Sequence, residues 1–153
     1  MIKNTLLTAL ITSSALLSST VVIANDNTQS AFVDEYLSEI VQTNKDIATS
    51  FSNLTADAPD QTSWVANYGT ASPGVSVSVN NKDYVAFSAC EPKNCPQSAY
   101  VVLLDPETKK FVKGAIRYES EAEQTPHQST VVWLGEYDFD FVPTIWQQFY
   151  PID

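Results

Sequence analysis

The first apolar stretch of the chain runs to Ala24 and carries charge only at its start. Lys3 is its one charged residue, and an uncharged run rich in Leu, Ile, Val, Ser and Thr follows. A cationic start, an apolar centre and a small-residue end are typical of a secretory signal peptide. The interrupting Ser and Thr residues disfavour the alternative, a retained membrane anchor. We therefore predict export, cleavage after Ala24 and a mature domain of residues 25–153.

A helical pattern follows from Ala31 to Leu54. Its apolar residues recur at steps of three and four, which one buried face of a helix requires. They are Phe32, Val33, Tyr36, Leu37, Ile40, Val41, Ile47, Phe51 and Leu54. A polar gap at 42–45 predicts a weak point or break, and Ala-Pro-Asp at 58–60 ends the pattern. This segment is predicted to cover a face of the remaining structure.

Beyond Trp64 the apolar period changes to two, which is typical of strands with one buried face. Strands are predicted at 75–79, 84–89, 99–104, 110–119 and 129–134. Short turns between most of them predict an antiparallel meander. Pro143 suits a helix start, so 144–150 is predicted as a short helix. The fold class is α+β, an antiparallel sheet of about five strands with an N-terminal helix on one face and a short C-terminal helix.

The net charge of the chain limits the class of molecule that it can bind. At 153 residues one domain is expected, and the formal net charge is −10. Removing the signal peptide takes away Lys3 and no acidic residue, which leaves −11. Such a charge disfavours nucleic acid and anionic membranes and favours cationic partners.

Candidate catalytic groups are sparse. His127 is the only histidine and stands in a polar loop without a nucleophile motif. The carboxylates cluster at 119–123 and 136–140, where they are interpreted as solvated faces. Asp138 and Asp140 lack the remaining ligands of a calcium loop. The sequence predicts neither an enzyme nor a cofactor or metal site.

The two cysteines are separated by four residues, which is too wide for a Cys-x-x-Cys redox motif. In an exported protein they predict one disulfide. The candidate site comprises Cys90, Glu91, Pro92, Lys93, Asn94 and Cys95. Closing so short a loop stabilises the fold by about 2 kcal/mol, so the bond mainly shapes the loop. A rigid loop loses little entropy on docking. Two interpretations remain open, an inhibitor loop that enters a cleft and a strapped surface turn without a partner.

The run from Ser88 to Cys95 resembles the signature loop of the inhibitor of vertebrate lysozyme family of Gram-negative bacteria. That family carries Cys-Lys-Pro-His-Asp-Cys after a strand ending in Ser-Ala. Supporting likenesses are Trp64-Val65, Tyr68-Gly69-Thr70 with Pro73, Lys82-Asp83-Tyr84 and Val132-Trp133-Leu134. The resemblance implies a periplasmic α+β domain, often dimeric, whose loop plugs the active-site cleft of a lysozyme.

Within the loop, only Cys90, Pro92 and Cys95 match the family pattern directly. Lys93 stands where the resemblance implies a histidine that hydrogen-bonds the target's catalytic carboxylates. A lysine is cationic but lacks the shape of an imidazole. Glu91 replaces a lysine and should repel those carboxylates unless it points elsewhere.

The resemblance implies a lysozyme as partner, in the first place a c-type lysozyme. The departures at Glu91 and Lys93 leave open a different wall-cleaving target, such as a bacterial lytic transglycosylase or a rival's secreted muramidase. The changed loop centre motivates an alternative function. In that case the chain is an immunity or interaction protein that binds a secreted cell-wall-degrading effector through another surface.

Overall fold

The computed structural model describes residues 31–119 and 128–150. The predicted signal peptide and His127 lie outside these residues. The helices are α1 (Leu37–Thr43), α2 (Lys45–Leu54) and α3 (Val142–Phe149), and the strands are β1 (Thr70–Ala71), β2 (Val75–Val79), β3 (Lys82–Cys90), β4 (Ser98–Asp105), β5 (Lys110–Glu119) and β6 (Ser129–Leu134). Two 3₁₀ segments, Asp60–Asn67 and Phe139–Phe141, complete the described elements.

The predicted break in the N-terminal helix is confirmed at Asn44. This residue has an extended backbone, and its side chain accepts a hydrogen bond from the backbone N–H of Ile47. An Asn at this position ends one helix and caps the next, because its oxygen satisfies a free N–H of the first turn.

The prediction that this helix starts at Ala31 is wrong, since regular helix begins at Leu37. The reason lies in long-range backbone pairing. The N–H of Asp34 donates to Gly74 O at 2.9 Å, and Gly74 N–H donates to Glu35 O at 2.8 Å. These bonds hold the segment against the sheet edge, although its apolar side chains still pack on the core.

The sheet is antiparallel with the order β1-β3-β4-β5-β6, and β2 also pairs with β3. The predicted α+β class is confirmed. The strand β1 was not predicted. Both β1 and β2 pair with β3, but in different registers: Thr70 of β1 is opposite Cys90, and Val75 of β2 is opposite Ala86. One extra residue is therefore accommodated between β1 and β2, as in a β-bulge on an edge strand.

Strand β4 forms the centre of the fold, and its continuous apolar run reflects burial on both faces. On one face Phe51 of α2 lies among the rings of Tyr68, Tyr100 and Phe111, with centroids 5.2 to 6.0 Å away. On the other face Ile145 of α3 is only 1% exposed and packs in a second apolar cluster. The sheet thus lies between the N-terminal helices and α3.

Strands β3 and β4 are paired up to Cys90 and Ala99, so the segment between them leaves the end of two interior strands of the sheet. Its base is consequently held by the strand pairing of the sheet interior. Within residues 31–119 and 128–150, none of the helices has both the length and the apolar character needed to cross a bilayer.

Candidate functional site

The candidate site is the connection between β3 and β4. The disulfide between Cys90 and Cys95 is formed, with Cα atoms 4.7 Å apart, which confirms the predicted pairing. At the base of the loop, the N–H of Glu91 donates to Ser98 O at 2.9 Å. The loop is therefore closed once by a covalent bond and once by a backbone hydrogen bond.

A tight turn forms the tip of the loop. The N–H of Asn94 donates to Glu91 O at 2.9 Å, with Pro92 and Lys93 between them. Lys93 has a φ of +69°. Proline followed by a residue of positive φ is the pattern of a type II β-turn. Both central residues are exposed. Holding a lysine in this left-handed region costs about 1 kcal/mol relative to glycine.

The carboxylate of Glu91 is turned toward the loop itself. Its Oε2 accepts a hydrogen bond from Asn94 Nδ2 at 2.8 Å, and both side chains are half-buried. The two residues flanking Pro92 and Lys93 thus bond to each other across the turn. The ammonium of Lys93 remains the exposed charge of the tip, and neither ion pair found in the described part of the chain includes it.

The segment that leaves the loop is attached to β5. Gln97 O accepts from the N–H of Glu119 at 2.8 Å, and Pro96 O accepts from Arg117 Nη2 at 2.9 Å. Sequence reasoning did not single out Arg117. The available signal was a cationic residue between apolar residues of the strand predicted at 110–119, a position that normally requires a specific partner.

Asp138 and Asp140, whose spacing matches only part of a calcium-binding loop, each bond to a group of the protein itself. Asp138 Oδ1 accepts from the backbone N–H of Asp140 at 3.0 Å, and Asp140 Oδ2 accepts from Asn80 Nδ2 at 2.7 Å. Across the described ranges 31–119 and 128–150, no three His, Cys, Asp or Glu residues stand together in a way that could hold a metal ion.

The site is thus an exposed, disulfide-closed loop on an antiparallel sheet with helices on both faces. The family model described as Inhibitor of vertebrate lysozyme (Ivy) matches residues 46–140, more than half of the chain. The chain belongs to this family. The matched range includes the whole of the loop and all six strands. No curated protein matches the chain.

Family membership assigns the chain a general role as a lysozyme inhibitor. The family is one of inhibitors and not of enzymes, in agreement with the sequence-based expectation.

Proposed function

We propose that this protein inhibits a lysozyme or a related peptidoglycan-cleaving glycosidase by inserting the 90–95 loop into the active-site cleft. The observation that carries the proposal is the exposed Lys93 ammonium at the tip of a loop that is shaped before binding. Export through the predicted signal peptide would place this activity in the periplasm.

The restraints on the loop favour tight docking. The disulfide closes it, the bond from Asn94 N–H to Glu91 O sets its turn, and β5 fixes its last residues. A binding partner does not have to order these atoms. More of the contact energy therefore remains as affinity.

The charge at the tip suits a glycosidase cleft. Such enzymes commonly use a pair of carboxyl groups beside the scissile bond. An ammonium has three donors and no acceptor, so Lys93 can donate to both carboxylates at once. The repulsion expected from Glu91 is reduced because its carboxylate is bonded to Asn94 within the loop.

The scaffold favours a cationic target. With a formal net charge of −10 over the whole chain, the protein attracts basic proteins at long range. A c-type lysozyme is the proposed first partner, with bacterial lytic transglycosylases and secreted muramidases as the alternatives. The homodimer implied by the resemblance remains a prediction, and sedimentation of the purified protein would test it.

The test is a titration of purified protein against c-type lysozyme, g-type lysozyme and a bacterial lytic transglycosylase, each with its own peptidoglycan substrate. We expect stoichiometric inhibition of one of them at micromolar protein or below. Undiminished activity of all three enzymes at micromolar inhibitor would overturn the proposal.

One observation favours a second candidate function, binding of a cell-wall-degrading effector through another surface. Tyr137 and Phe139 are 49% and 77% exposed, and their rings are 5.0 Å apart. The bond from Asn80 to Asp140 places this aromatic pair near the β2–β3 turn, at the end of β3 away from the loop.

A pull-down from periplasmic extract separates the two functions. If Phe139→Ala loses the partner and a Cys90→Ser, Cys95→Ser variant keeps it, the second function is supported. The reverse pattern supports inhibition by the loop.

A further inference from the structure

We propose that Arg117 is a positioning residue for the inhibitory loop and that it links the loop to the C-terminal helix. This inference rests on the proposed function and names the residue that sets the geometry of the same site. Arg117 lies in β5 opposite Ala99 of β4 and is only 6% exposed.

The guanidinium of Arg117 joins two parts of the structure by hydrogen bonds. Nη2 donates to Pro96 O at 2.9 Å, and Nη1 donates to Glu119 Oε1 at 3.1 Å. Charged donors form stronger hydrogen bonds than neutral ones, and burial strengthens them further. The planar fork of an arginine holds both acceptors in fixed directions, which a lysine cannot do.

These bonds restrain the end of the loop from outside, in addition to the hydrogen bonds that the N–H groups of Gln97 and Ser98 donate to Asn94 O within it. The disulfide reaches only to Cys95, and regular strand pairing begins at Ser98. Between them, Pro96 is held through its carbonyl by Arg117, and Gln97 is held through its carbonyl by the N–H of Glu119. The side chain of Glu119 in turn bonds to Arg117. Arg117 and Glu119 therefore form one bracket around the end of the loop.

The bracket is covered by Tyr150, the residue that caps the C-terminal end of α3. The Cζ atom of Arg117 lies 5.5 Å from the centre of the Tyr150 ring, which follows directly after α3. A cation over an aromatic face is attracted to it, and the ring also shields the guanidinium from water. The position of the loop is thereby coupled to the docking of α3 on the sheet.

The test compares Arg117→Met with Lys113→Met. Lys113 lies on the same face of β5 and also has its cation over an aromatic ring, that of Phe141 at 5.7 Å, but it bonds to Glu136 O away from the loop. Two kinds of measurement are made on each variant. The first is the inhibition constant, and the second is the rate of hydrogen exchange at the backbone amides of Glu119 and of Val85 in β3.

Arg117→Met should weaken inhibition about tenfold, because the target then has to order the end of the loop on binding. It should also speed exchange of the Glu119 amide and leave that of Val85 unchanged. A merely structural role would accelerate both amides together. Lys113→Met should alter neither the inhibition nor the exchange of Glu119.

Arg117→Lys provides a second variant in case the methionine variant does not fold. It keeps the buried charge but not the fork, and we expect intermediate values of both quantities. Unchanged inhibition together with unchanged Glu119 exchange in a folded Arg117 variant would overturn the inference. If the wild type inhibits none of the target enzymes, the proposed function fails, whereas the exchange measurement still decides whether Arg117 positions the loop.

Discussion

Strand β4 has a connection at each end, and the two differ in how they are held. The 91–97 loop precedes the strand, and the 106–109 turn follows it. Each contains an exposed lysine with positive φ, Lys93 at +69° and Lys109 at +57°. Backbone strain is therefore common to both connections and does not by itself distinguish a functional loop.

One residue organises the 106–109 turn. Oδ1 of Asp105 accepts from the N–H groups of Glu107 and Thr108 at 3.0 and 3.3 Å, and Oδ2 accepts from Lys82 Nζ at 2.7 Å. These bonds are sufficient to reverse the chain. The 91–97 loop has in addition a disulfide and a bracket from β5. The extra restraints maintain a particular shape of the loop, beyond what a chain reversal needs.

The largest expected effect is a loss of inhibition, and it should occur on substitution of Lys93 but not of Lys109. Lys93→Ala should weaken inhibition about 30-fold or more, because a side chain at the centre of an interface often contributes about 2 kcal/mol or more. Lys109→Ala, its counterpart in the other turn, should leave the inhibition constant unchanged. Both are measured by enzyme titration. Equal inhibition constants for the two variants would contradict the assignment of Lys93 as the inserted residue.

Removing the disulfide should affect function and stability together. The Cys90→Ser, Cys95→Ser variant should lose up to about 2 kcal/mol of unfolding free energy, since the closed loop is short. Inhibition should weaken about tenfold, because the loop then has to be ordered on binding. Urea unfolding and enzyme titration measure the two quantities. Full inhibition by this variant would show that the β5 bracket alone shapes the loop.

Asp105→Ala should lower the stability of the fold and leave inhibition unchanged, the opposite of what is expected for Lys93→Ala. It removes two hydrogen bonds from backbone N–H groups and the one from Lys82 Nζ, so the unfolding free energy should fall by about 1–2 kcal/mol. Because the turn is at the other end of β4, the inhibition constant of the remaining folded protein should be unchanged. A loss of inhibition by folded Asp105→Ala would show that the two ends of β4 are coupled.

The contribution of Asp105 should also depend on pH. Its side chain is only 5% exposed, and this desolvation raises its pKa, but the hydrogen bonds from Lys82, Thr108 and Glu107 outweigh burial and leave the pKa below the ordinary value of 3.8. The folded state therefore binds this proton less readily than the unfolded state. The stability difference between wild type and Asp105→Ala should be constant above the ordinary pKa and shrink as the pH falls through the lowered one. Urea unfolding at pH 7, 4 and 3 measures it, and a difference that grows toward low pH would contradict the assignment.

The smallest effect concerns the strained lysines. Lys109→Gly should raise the unfolding free energy by less than about 1 kcal/mol, because glycine adopts positive φ without a steric penalty. Lys93→Gly should give a similar gain but lose inhibition as Lys93→Ala does. Thermal unfolding with enzyme titration compares them, and a loss of stability at both sites would show that neither turn is strained.

Features decided by neighbours in sequence were predictable. The alternation from Val75 to Val79 predicts β2 with its observed bounds, and the apolar run that follows Ser98 predicts the buried β4. Two cysteines in a chain predicted to be exported predict the disulfide, and the strand pattern places the loop after β3 and before β4.

Features decided by distant partners were not predictable. Arg117 meets Pro96 across 21 positions of sequence, and periodicity indicates only that such a residue lies on a strand. The direction of the Glu91 carboxylate depends on a turn in which Lys93 adopts a positive φ, which the residue type does not favour. The 3₁₀ segment Asp60–Asn67 was missed because its apolar residues follow neither regular period.

The internal bond between Glu91 and Asn94 has a consequence for the kinetics of binding. It leaves a cationic loop tip on a strongly acidic protein. The negative charge of the protein and the positive charge of the tip therefore act at different stages of binding, the approach and the contact. During the approach of a basic enzyme, the scaffold's net negative charge attracts it, and salt screens this attraction beyond a Debye length of about 8 Å at physiological ionic strength. At contact, the proposed insertion would bring Lys93 to the carboxylates of the cleft. Added salt should therefore slow association, whereas changes at the tip should mainly shorten the lifetime of the complex.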